Sequence, residues 1–329
     1  MKTYNFFKLF FIGLIFLSQY LGAQNSTTII GDPLRQGYYT FGINGGLAYQ
    51  SSEVKSQPFD GFGLGLTLAK NYYYRPGSWM RFDLRGRLLY SQSYGADSKA
   101  NYGIQYNNAL NGTPRFGDNF SVNYLDANAS KFVFNNHKTY LGEFGLEGVL
   151  MFNRLRERTK WVVSLYGGIN LDWYNVCIDQ MDGTGLYSSK YLNALNTGNT
   201  SVTTLESLRD GLYETVGDGF NTKYGKLRIM PSLGLEVGRE LMPHFIVGVG
   251  HKINFTGVDN FDGQKWENNN TASTDKDLHH YTYLQLLWEF NAHQKKLSPP
   301  IIEFVQPEYS PYVSNSQTFE VIANVKKCK

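Results

Sequence analysis

Residues 80–90 read MRFDLRGRLLY, and this stretch decides the fold. Met80, Phe82, Leu84, Leu88 and Tyr90 occupy one parity and are all apolar or aromatic. The alternate positions carry the charged residues Arg81, Asp83, Arg85 and Arg87. Because successive side chains of a strand point to opposite faces, the segment predicts a β-strand with one apolar face and one charged face.

The same alternation recurs along the chain. In residues 38–49 and 62–72, aromatic and aliphatic residues alternate with Gly, Ala, Asn and Thr. Five further segments follow the period of two that is typical of strands. The sequence therefore predicts eight strands, at residues 38–49, 62–72, 80–90, 140–152, 161–173, 227–237, 245–255 and 281–290.

The predicted connections fall into two classes by length. Residues 75–78, 153–160 and 239–244 form short links, whereas residues 50–60, 91–139, 174–226 and 257–280 form long ones. If the strands run up and down in order, every short link falls at one end and every long link at the other. Outer-membrane barrels have this asymmetry, with short periplasmic turns and longer extracellular loops. We therefore predict an all-β fold: an eight-stranded antiparallel up-and-down transmembrane β-barrel with both termini in the periplasm.

The apolar face could point to lipid or into a soluble, lipocalin-like barrel, which would expose its charged face to water. Two features favour lipid. The small residues on the polar parity suit a narrow eight-stranded lumen, and the aromatic residues on the apolar parity gather at both strand ends, as in interfacial girdles. The predicted girdle near the short links contains Tyr39, Tyr72, Phe152, Trp161, Phe245 and Phe290, and the one near the long loops contains Tyr49, Phe62, Tyr90, Tyr140, Trp173 and Phe255.

With these features the chain resembles the OmpA-like eight-stranded outer-membrane β-barrels of Gram-negative bacteria. The resemblance covers residues 37–291 and is architectural. Its most local element is the last strand, YTYLQLLWEF at residues 281–290, which looks like the aromatic-ended strand that barrel-assembly machinery recognises. The resemblance implies outer-membrane lipid, lipopolysaccharide and that machinery as partners. Residues 91–139 and 174–226 exceed the usual loop lengths of the family, and its peptidoglycan-binding domain is not found in the sequence.

Parity also assigns charged residues to the lumen. An unpaired charge in a narrow interior would be very costly, so the near balance of signs predicts an ion-pair network that plugs the barrel. A proton or ion path through the same charges is the alternative. The predicted lumen set comprises Arg81, Arg85, Arg87, Arg228 and Lys252 as bases and Asp83, Glu143, Glu147, Asp172, Glu236 and Glu289 as acids.

The composition excludes several classes of protein. Aromatic residues make up 16% of the chain, too many for a disordered protein. The net charge of +3 and the lack of a basic run give no reason to expect nucleic acid as a partner. Two cysteines, Cys177 and Cys328, are too few for a disulfide framework or a zinc site, and we expect them on opposite sides of the membrane.

The two ends of the chain differ from the barrel. Residues 1–23 combine Lys2 and Lys8 with an apolar run at residues 9–17 and the small residue Ala23, as in a cleaved secretory signal. Residues 24–36 are predicted to be a periplasmic segment and residues 292–300 a Pro-containing linker. Residues 301–329 resemble the start of an Ig-like β repeat, although a complete sandwich needs about 100 residues. A docking tail is the alternative for this last segment.

Candidate catalytic residues are sparse. His137, His279 and His280 are predicted near the outer rim, but strands four and eight lie on opposite sides of the ring, and no Gly-x-Ser-x-Gly or His-Glu-x-x-His pattern occurs. Asp179 and Asp182 lack the terminal Glu of a calcium loop and indicate a turn. We therefore expect no enzyme, cofactor or metal site. A capping-box spacing at residues 203–206 predicts a short helix in the third long loop.

The expected function is that of a membrane anchor and surface-loop scaffold, with a binding or structural role. Long loops in compact proteins are usually functional or disordered. The polar and aromatic residues of 91–136 suit contact with sugars or proteins, and equally suit a shield over the barrel mouth. The ligand of the loops stays open. A narrow channel and an outer-membrane hydrolase are the alternatives.

Overall fold

Eight long strands form the body of the protein. The computed structural model describes residues 39–73, 78–101, 111–114, 121–123, 132–182, 185–213, 215–217, 225–264 and 276–290. Numbered along the chain with the short strands between them, the long strands are β1 (Tyr39–Ser51), β2 (Phe62–Tyr73), β3 (Arg81–Ala96), β6 (Asn136–Met151), β7 (Trp161–Ile178), β11 (Lys226–Met242), β12 (Phe245–Phe255) and β13 (Leu278–Phe290).

These strands close into a ring. Each long strand pairs antiparallel with the next along the chain, and β1 pairs with β13 from Tyr39 opposite Phe290 to Ser51 opposite Leu278. The β6–β7 pairing completes the circle on the other side. Closure leaves no unpaired sheet edge, which is the condition for strands to cross a bilayer. The predicted eight-stranded antiparallel barrel is confirmed.

Several strands are longer than predicted at the long-loop end. β3 continues to Ala96, β6 begins at Asn136 and β7 continues to Ile178, and their pairing holds out to these ends. The prediction was short because these outer residues no longer alternate between apolar and polar. Their outward side chains lie beyond the girdle positions, where the apolar requirement of lipid ends.

The connections carry the remaining elements. Residues 153–160, predicted only as a short link, contain a helix at Asn153–Thr159. None of the described helices is long and apolar enough to span a membrane. The other described elements are β4 (Asn111–Pro114), β5 (Ser121–Asn123), β8 (Met181–Asp182), β9 (Gly185–Leu186), β10 (Thr215–Val216) and helices at Ser188–Asn196 and Val202–Ser207.

The helix predicted in the third long loop is present at Val202–Ser207, but its N-cap differs from the prediction. Ser201 Oγ accepts a hydrogen bond from Thr204 N at 3.3 Å, so the cap is Ser201 rather than Thr203. Thr215 and Val216, farther along the same loop, pair with Ile178 and Cys177 as a short strand.

The long loops fold into a layer with its own buried apolar residues. Two clusters stabilise this loop layer, which we define as the described parts of residues 52–61, 97–135, 179–225 and 256–277 together with the outer strand ends. One cluster contains Leu141, Tyr174, Val176, Val216, Met230 and Phe261. The other contains Phe132, Phe134, Tyr187, Tyr191, Ala194 and Leu205.

Some predicted features lie outside the described residues. These are the signal at residues 1–23, the segment at 24–36, the linker at 292–300, the tail at 301–329 and the cysteine at 328. The chain divides into a unit of Met1–Lys295 and a unit of Lys296–Lys329, and only the first contains described residues. Cys177 is a buried free thiol at the outer end of β7.

Candidate functional site

The centre of the lumen is filled by two arginines and two glutamates. Arg85 and Arg87 on β3 are inward neighbours, separated by Gly86, which lies on the outward face. Arg85 Nε donates to Glu147 Oε2 at 2.7 Å and Arg87 Nε donates to Glu147 Oε1 at 2.8 Å. Arg85 Nη1 also donates to Glu236 Oε1 at 2.8 Å. All four side chains are at most 5% exposed, so each charge is compensated by partners rather than by water.

Two tyrosines complete this layer. Tyr283 Oη donates to Glu236 Oε1 at 2.6 Å and lies 3.0 Å from Tyr166 Oη. The Arg85 guanidinium lies 4.3 Å from the centroid of the Tyr166 ring, within the range of a cation–π contact. The rings require glycine beneath them: a Cβ at Gly234 would come within 2.2 Å of Tyr166 Cζ, and one at Gly250 within 2.4 Å of Tyr283 Cζ.

A second group of charges lies toward the long loops. Lys252 Nζ contacts Glu143 and lies 3.2 Å from Glu147 Oε1, which joins this group to the central layer. Asn254 donates to Glu143 Oε2 at 2.8 Å. Asp172 lies opposite Glu143 in the β6–β7 register, is fully buried, and has no hydrogen-bond partner on either carboxylate oxygen among the described residues. The prediction that the lumen charges pair therefore does not extend to Asp172.

A third group closes the short-link end. Arg81 Nη2 lies 2.6 Å from Asp83 Oδ2, and Arg81 Nη1 lies 3.7 Å from Glu289 Oε1. Arg156, on the helix at this end, donates to both oxygens of Glu289 at 2.6 and 2.7 Å and to Glu240 at 3.1 Å. Sequence parity did not find Arg156 because it lies on a helix rather than a strand. The six acids predicted for the lumen outnumber the five predicted bases, and this excess is the signal that points to a further base.

Arg228 is the one predicted lumen residue that the structure places elsewhere. Its side chain is exposed, and Nη2 donates to the carbonyl oxygen of Gly257 at 2.9 Å. β11 pairs with β7 from Lys226 onward but with β12 only from Ser232, so its first residues extend past β12. The ring of strands is therefore open beside Arg228, and a residue on the inward parity is not enclosed in the lumen there.

The outward face has the opposite character. Leu66 is 45% exposed and Leu284 is 65% exposed, whereas the inward neighbour Thr67 is only 4% exposed. Side chains near the two ends of this apolar belt meet across strands: the rings of Tyr39 and Phe290 lie 6.1 Å apart, and those of Phe62 and Tyr90 lie 6.4 Å apart.

The other predicted girdle residues also lie on the outward parity of their strands or at the strand ends. Phe245 packs on Trp288, with ring centroids 5.1 Å apart. The side chain of Tyr72 lies outside the described residues. None of the remaining members is buried, and these members are Tyr49, Tyr140, Phe152, Trp161, Trp173 and Phe255.

A charged interior inside an exposed apolar belt is the reverse of a soluble barrel. Exposing the apolar belt to water would be unfavourable, whereas contact with lipid requires it. The closed ring also pairs the backbone N–H and C=O groups of every strand within the bilayer. The fold is that of an eight-stranded outer-membrane β-barrel.

Comparisons with known proteins concern this fold. No family model matches the chain, and no curated protein matches it. Neisserial surface protein A is similar at 11% identity and a TM-score of 0.31, over 77% of this chain and 97% of that one. Ail, the attachment invasion locus protein of Yersinia pestis, is similar at 8% identity and a TM-score of 0.34, over 78% of this chain and 99% of that one. The outer membrane enzyme PagL is similar at 10% identity and a TM-score of 0.30, over 75% of this chain and 98% of that one.

The rim histidines occupy separate environments. Ser91 Oγ lies 3.2 Å from His279 Nε2, but both residues are buried, and His279 Nδ1 has no partner among the described residues to orient the ring. His137 is fully buried and neither ring nitrogen has a partner among those residues. His280 lies on the outward face, where it stacks on Tyr49 with centroids 5.0 Å apart. None of these three histidines therefore lies between a nucleophile and an orienting acid of the described residues.

Proposed function

We propose that the protein is a membrane anchor that holds a folded loop layer at the cell surface, where this layer binds an extracellular partner. In this proposal the barrel conducts no solute and carries out no chemistry. The observation that carries it is the filled lumen: Arg85, Arg87, Glu147 and Glu236 form a cross-linked set near the middle of the barrel. An eight-stranded barrel has only enough interior for such side chains.

The folded state of the loop layer supports display rather than a simple flexible shield. Arg209 Nη2, in the third long loop, donates to the Phe134 carbonyl oxygen at 2.9 Å, and Arg209 Nε donates to Tyr191 Oη at 2.9 Å. Gln57, in the first long loop, donates to Glu206 at 2.5 Å. The Phe134 and Gln57 contacts join different long loops, and a layer held in one arrangement presents a defined surface to a partner.

The exposed side chains of the layer suit protein or carbohydrate contact. Phe59 is 86% exposed and Leu212 is 68% exposed, and both belong to long loops rather than to the lipid-facing belt. Burying large apolar side chains is a main source of interface energy, and aromatic residues are enriched at such surfaces. These residues are therefore the first choice for surface variants in a search for the partner.

The proposed orientation places the long loops outside the cell and both termini in the periplasm. The asymmetry of outer-membrane barrels supports this, because their short turns face the periplasm. With this orientation, the belt contacts outer-membrane lipid and lipopolysaccharide, and the aromatic-ended strand β13 is available to barrel-assembly machinery during insertion.

Accessibility on intact cells tests the proposal. An epitope tag inserted next to Gly112 or Gly183 should bind antibody and be removed by added protease, whereas a tag after Ser298 should be protected until the outer membrane is opened. Heat-modifiable gel mobility of each tagged protein controls for barrel folding. Reversed accessibility, with the tag after Ser298 exposed, would overturn the proposed orientation and the display function together.

A further inference from the structure

Three carboxylates meet in the loop layer, away from the lumen network. Glu53 belongs to the first long loop, Asp262 to the fourth, and Asp277 immediately precedes β13. One carboxylate oxygen from each lies within 4.8 Å of those of the other two. Asp262 and Asp277 are each 1% exposed, and Glu53 is half-buried. Three acids at such distances repel one another unless something positive lies between them.

The backbone fixes two of these carboxylates. Asp262 accepts hydrogen bonds from Val54 N at 3.2 Å and Gln264 N at 3.0 Å. Asp277 Oδ2 accepts from Phe261 N at 2.7 Å. The Val54 contact joins the first and fourth long loops directly, so the cluster is assembled from two loops rather than from one flexible turn.

Oxygens of this cluster remain without partners. Asp277 Oδ1 and Glu53 Oε2 are buried and have no hydrogen-bond donor among the described residues. No basic side chain of the described residues forms an ion pair with any of the three carboxylates. A buried polar atom without a partner costs about 1–3 kcal/mol, and a charged one costs more. Among the described residues the arrangement therefore lacks a cationic component.

The electrostatic environment agrees with this geometry. Burial raises the pKa of Asp277, and the neighbouring Asp262 and Glu53 raise it further. Burial and the proximity of Glu53 raise the pKa of Asp262.

We propose that Glu53, Asp262 and Asp277 bind a calcium ion that ties the first long loop to the fourth. Calcium takes six to eight oxygen ligands at about 2.3–2.6 Å, so two of its ligands are at most about 5 Å apart. The observed spacing of 4.8 Å or less fits this limit. A donor set made only of carboxylate oxygens favours a hard cation over zinc or copper. Water supplies the remaining ligands on the exposed side of Glu53.

Calorimetric titration of the full chain tests the site. The protein is refolded in detergent without lipopolysaccharide, which itself binds calcium, and is stripped with EDTA before calcium chloride is added. We expect one saturable site with a dissociation constant of about 0.1–1 mM, the range of extracellular calcium modules. Glu53→Gln and Asp277→Asn should each weaken binding at least about tenfold, whereas Asp60→Asn, at an exposed acid of the same first loop, should bind as the wild type does.

Thermal unfolding provides a second measurement, because calcium would not change the unfolding midpoint if the three carboxylates had only a structural role. Calcium should raise the unfolding midpoint of the wild-type protein and of Asp60→Asn, but not that of Asp277→Asn. In EDTA, Asp277→Asn should be at least as stable as wild type, because it removes a buried repulsion. If Asp277→Asn does not fold, the half-buried position of Glu53 makes Glu53→Gln the deciding variant. Undetectable binding at millimolar calcium, or equal binding by Glu53→Gln and wild type, would overturn the proposal.

Discussion

Arg85 Nη1 lies 2.8 Å from Glu236 Oε1, although the two residues are 151 positions apart in the sequence. β3 and β11 are three strands apart around the ring, so this contact spans the lumen rather than joining neighbouring strands. The same guanidinium contacts Glu147 at 2.7 Å. One arginine thus neutralises acids on two different strands, and its loss would leave both acids short of a partner.

Arg85→Ala should lower the free energy of unfolding by about 3–5 kcal/mol, because breaking a buried ion pair leaves uncompensated charge. The measurement is urea unfolding of the refolded barrel, monitored by tryptophan fluorescence and heat-modifiable gel mobility. Arg154→Ala, at an exposed arginine of the short-link helix, is the control and should change stability by less than about 0.5 kcal/mol. Equal stability of Arg85→Ala and the control would indicate a hydrated lumen.

Asp172→Asn should have the opposite effect. Asp172 is buried beside Glu143 without a described hydrogen-bond partner, so an amide removes an uncompensated charge and adds donors. We expect a gain of about 1 kcal/mol in the free energy of unfolding, measured in the same urea assay. Glu143→Gln is the matched comparison, because Glu143 accepts from Lys252 and Asn254, and it should destabilise the barrel. A loss of stability in Asp172→Asn would contradict this account of the outer lumen.

The sequence predicted much of this arrangement for a specific physical reason. Where a strand crosses lipid inside a closed ring, each outward side chain must be apolar and each inward one can be polar, so parity assigned Arg85, Glu147 and Glu236 to the lumen. The rule fails where the ring ends. Arg228 follows the inward parity, yet it projects past β12 and is exposed.

Other features could not be predicted by parity because they arise from tertiary contact. Arg156 reaches Glu289 from a helix in a segment predicted only as a link. The carboxylates of Glu53 and Asp277 are brought together by the folding of two loops, and nothing in their sequence spacing indicates that contact. Outer-membrane barrels alternate strictly only within the bilayer, so the loop layer carries little periodic signal.

Planar-bilayer recording separates an anchor from a channel. The wild-type barrel should show no steady conductance, because Tyr166, Tyr283 and the ion pairs fill the lumen at its centre. The double variant Tyr166→Ala, Tyr283→Ala removes two rings and should increase ion leakage while leaving the Arg85 and Glu147 pair in place. Tyr90→Ala, at an outward girdle tyrosine, is the control and should remain silent. Large, stable channels in the wild-type protein would contradict the plugged lumen.

Acid should destabilise the protein through His137, which lies on β6 beyond the girdle. Burial lowers the pKa of this imidazole from 6.5 to about 3. The folded state therefore holds His137 neutral while the unfolded chain takes up a proton below pH 6.5. Stability from this residue is complete above pH 6.5 and is lost as the pH falls toward 3, at a rate approaching about 1.4 kcal/mol per pH unit.

The measurement for His137 is the difference between two proteins. Wild type and His137→Leu are unfolded in urea at pH 7, 5.5 and 4. As the pH falls, the wild type should lose free energy of unfolding relative to the variant. Taking the difference removes the contribution of loop-layer carboxyls such as Asp97, whose pKa is raised by burial and which act in the opposite direction. A gap that does not change with pH would show that His137 is not buried as a neutral residue.

The lipid contact of the apolar belt can be measured at Leu66, which is 45% exposed and lies between the aromatic ends of its strand. A polarity-sensitive fluorophore at Leu66→Cys, in a background of Cys177→Ser and Cys328→Ser, should be strongly quenched by lipids that carry a quencher in the acyl chain. The control is Phe59→Cys, which is also exposed but lies in the first long loop, where water-soluble iodide should quench it instead. This pair separates the two explanations of strand alternation, because acyl-chain quenchers would reach neither label in a soluble barrel. The belt around Leu66 is apolar because it contacts the hydrocarbon of the bilayer and not water. Quenching there by lipid and not by iodide is therefore the direct physical signature of a transmembrane strand.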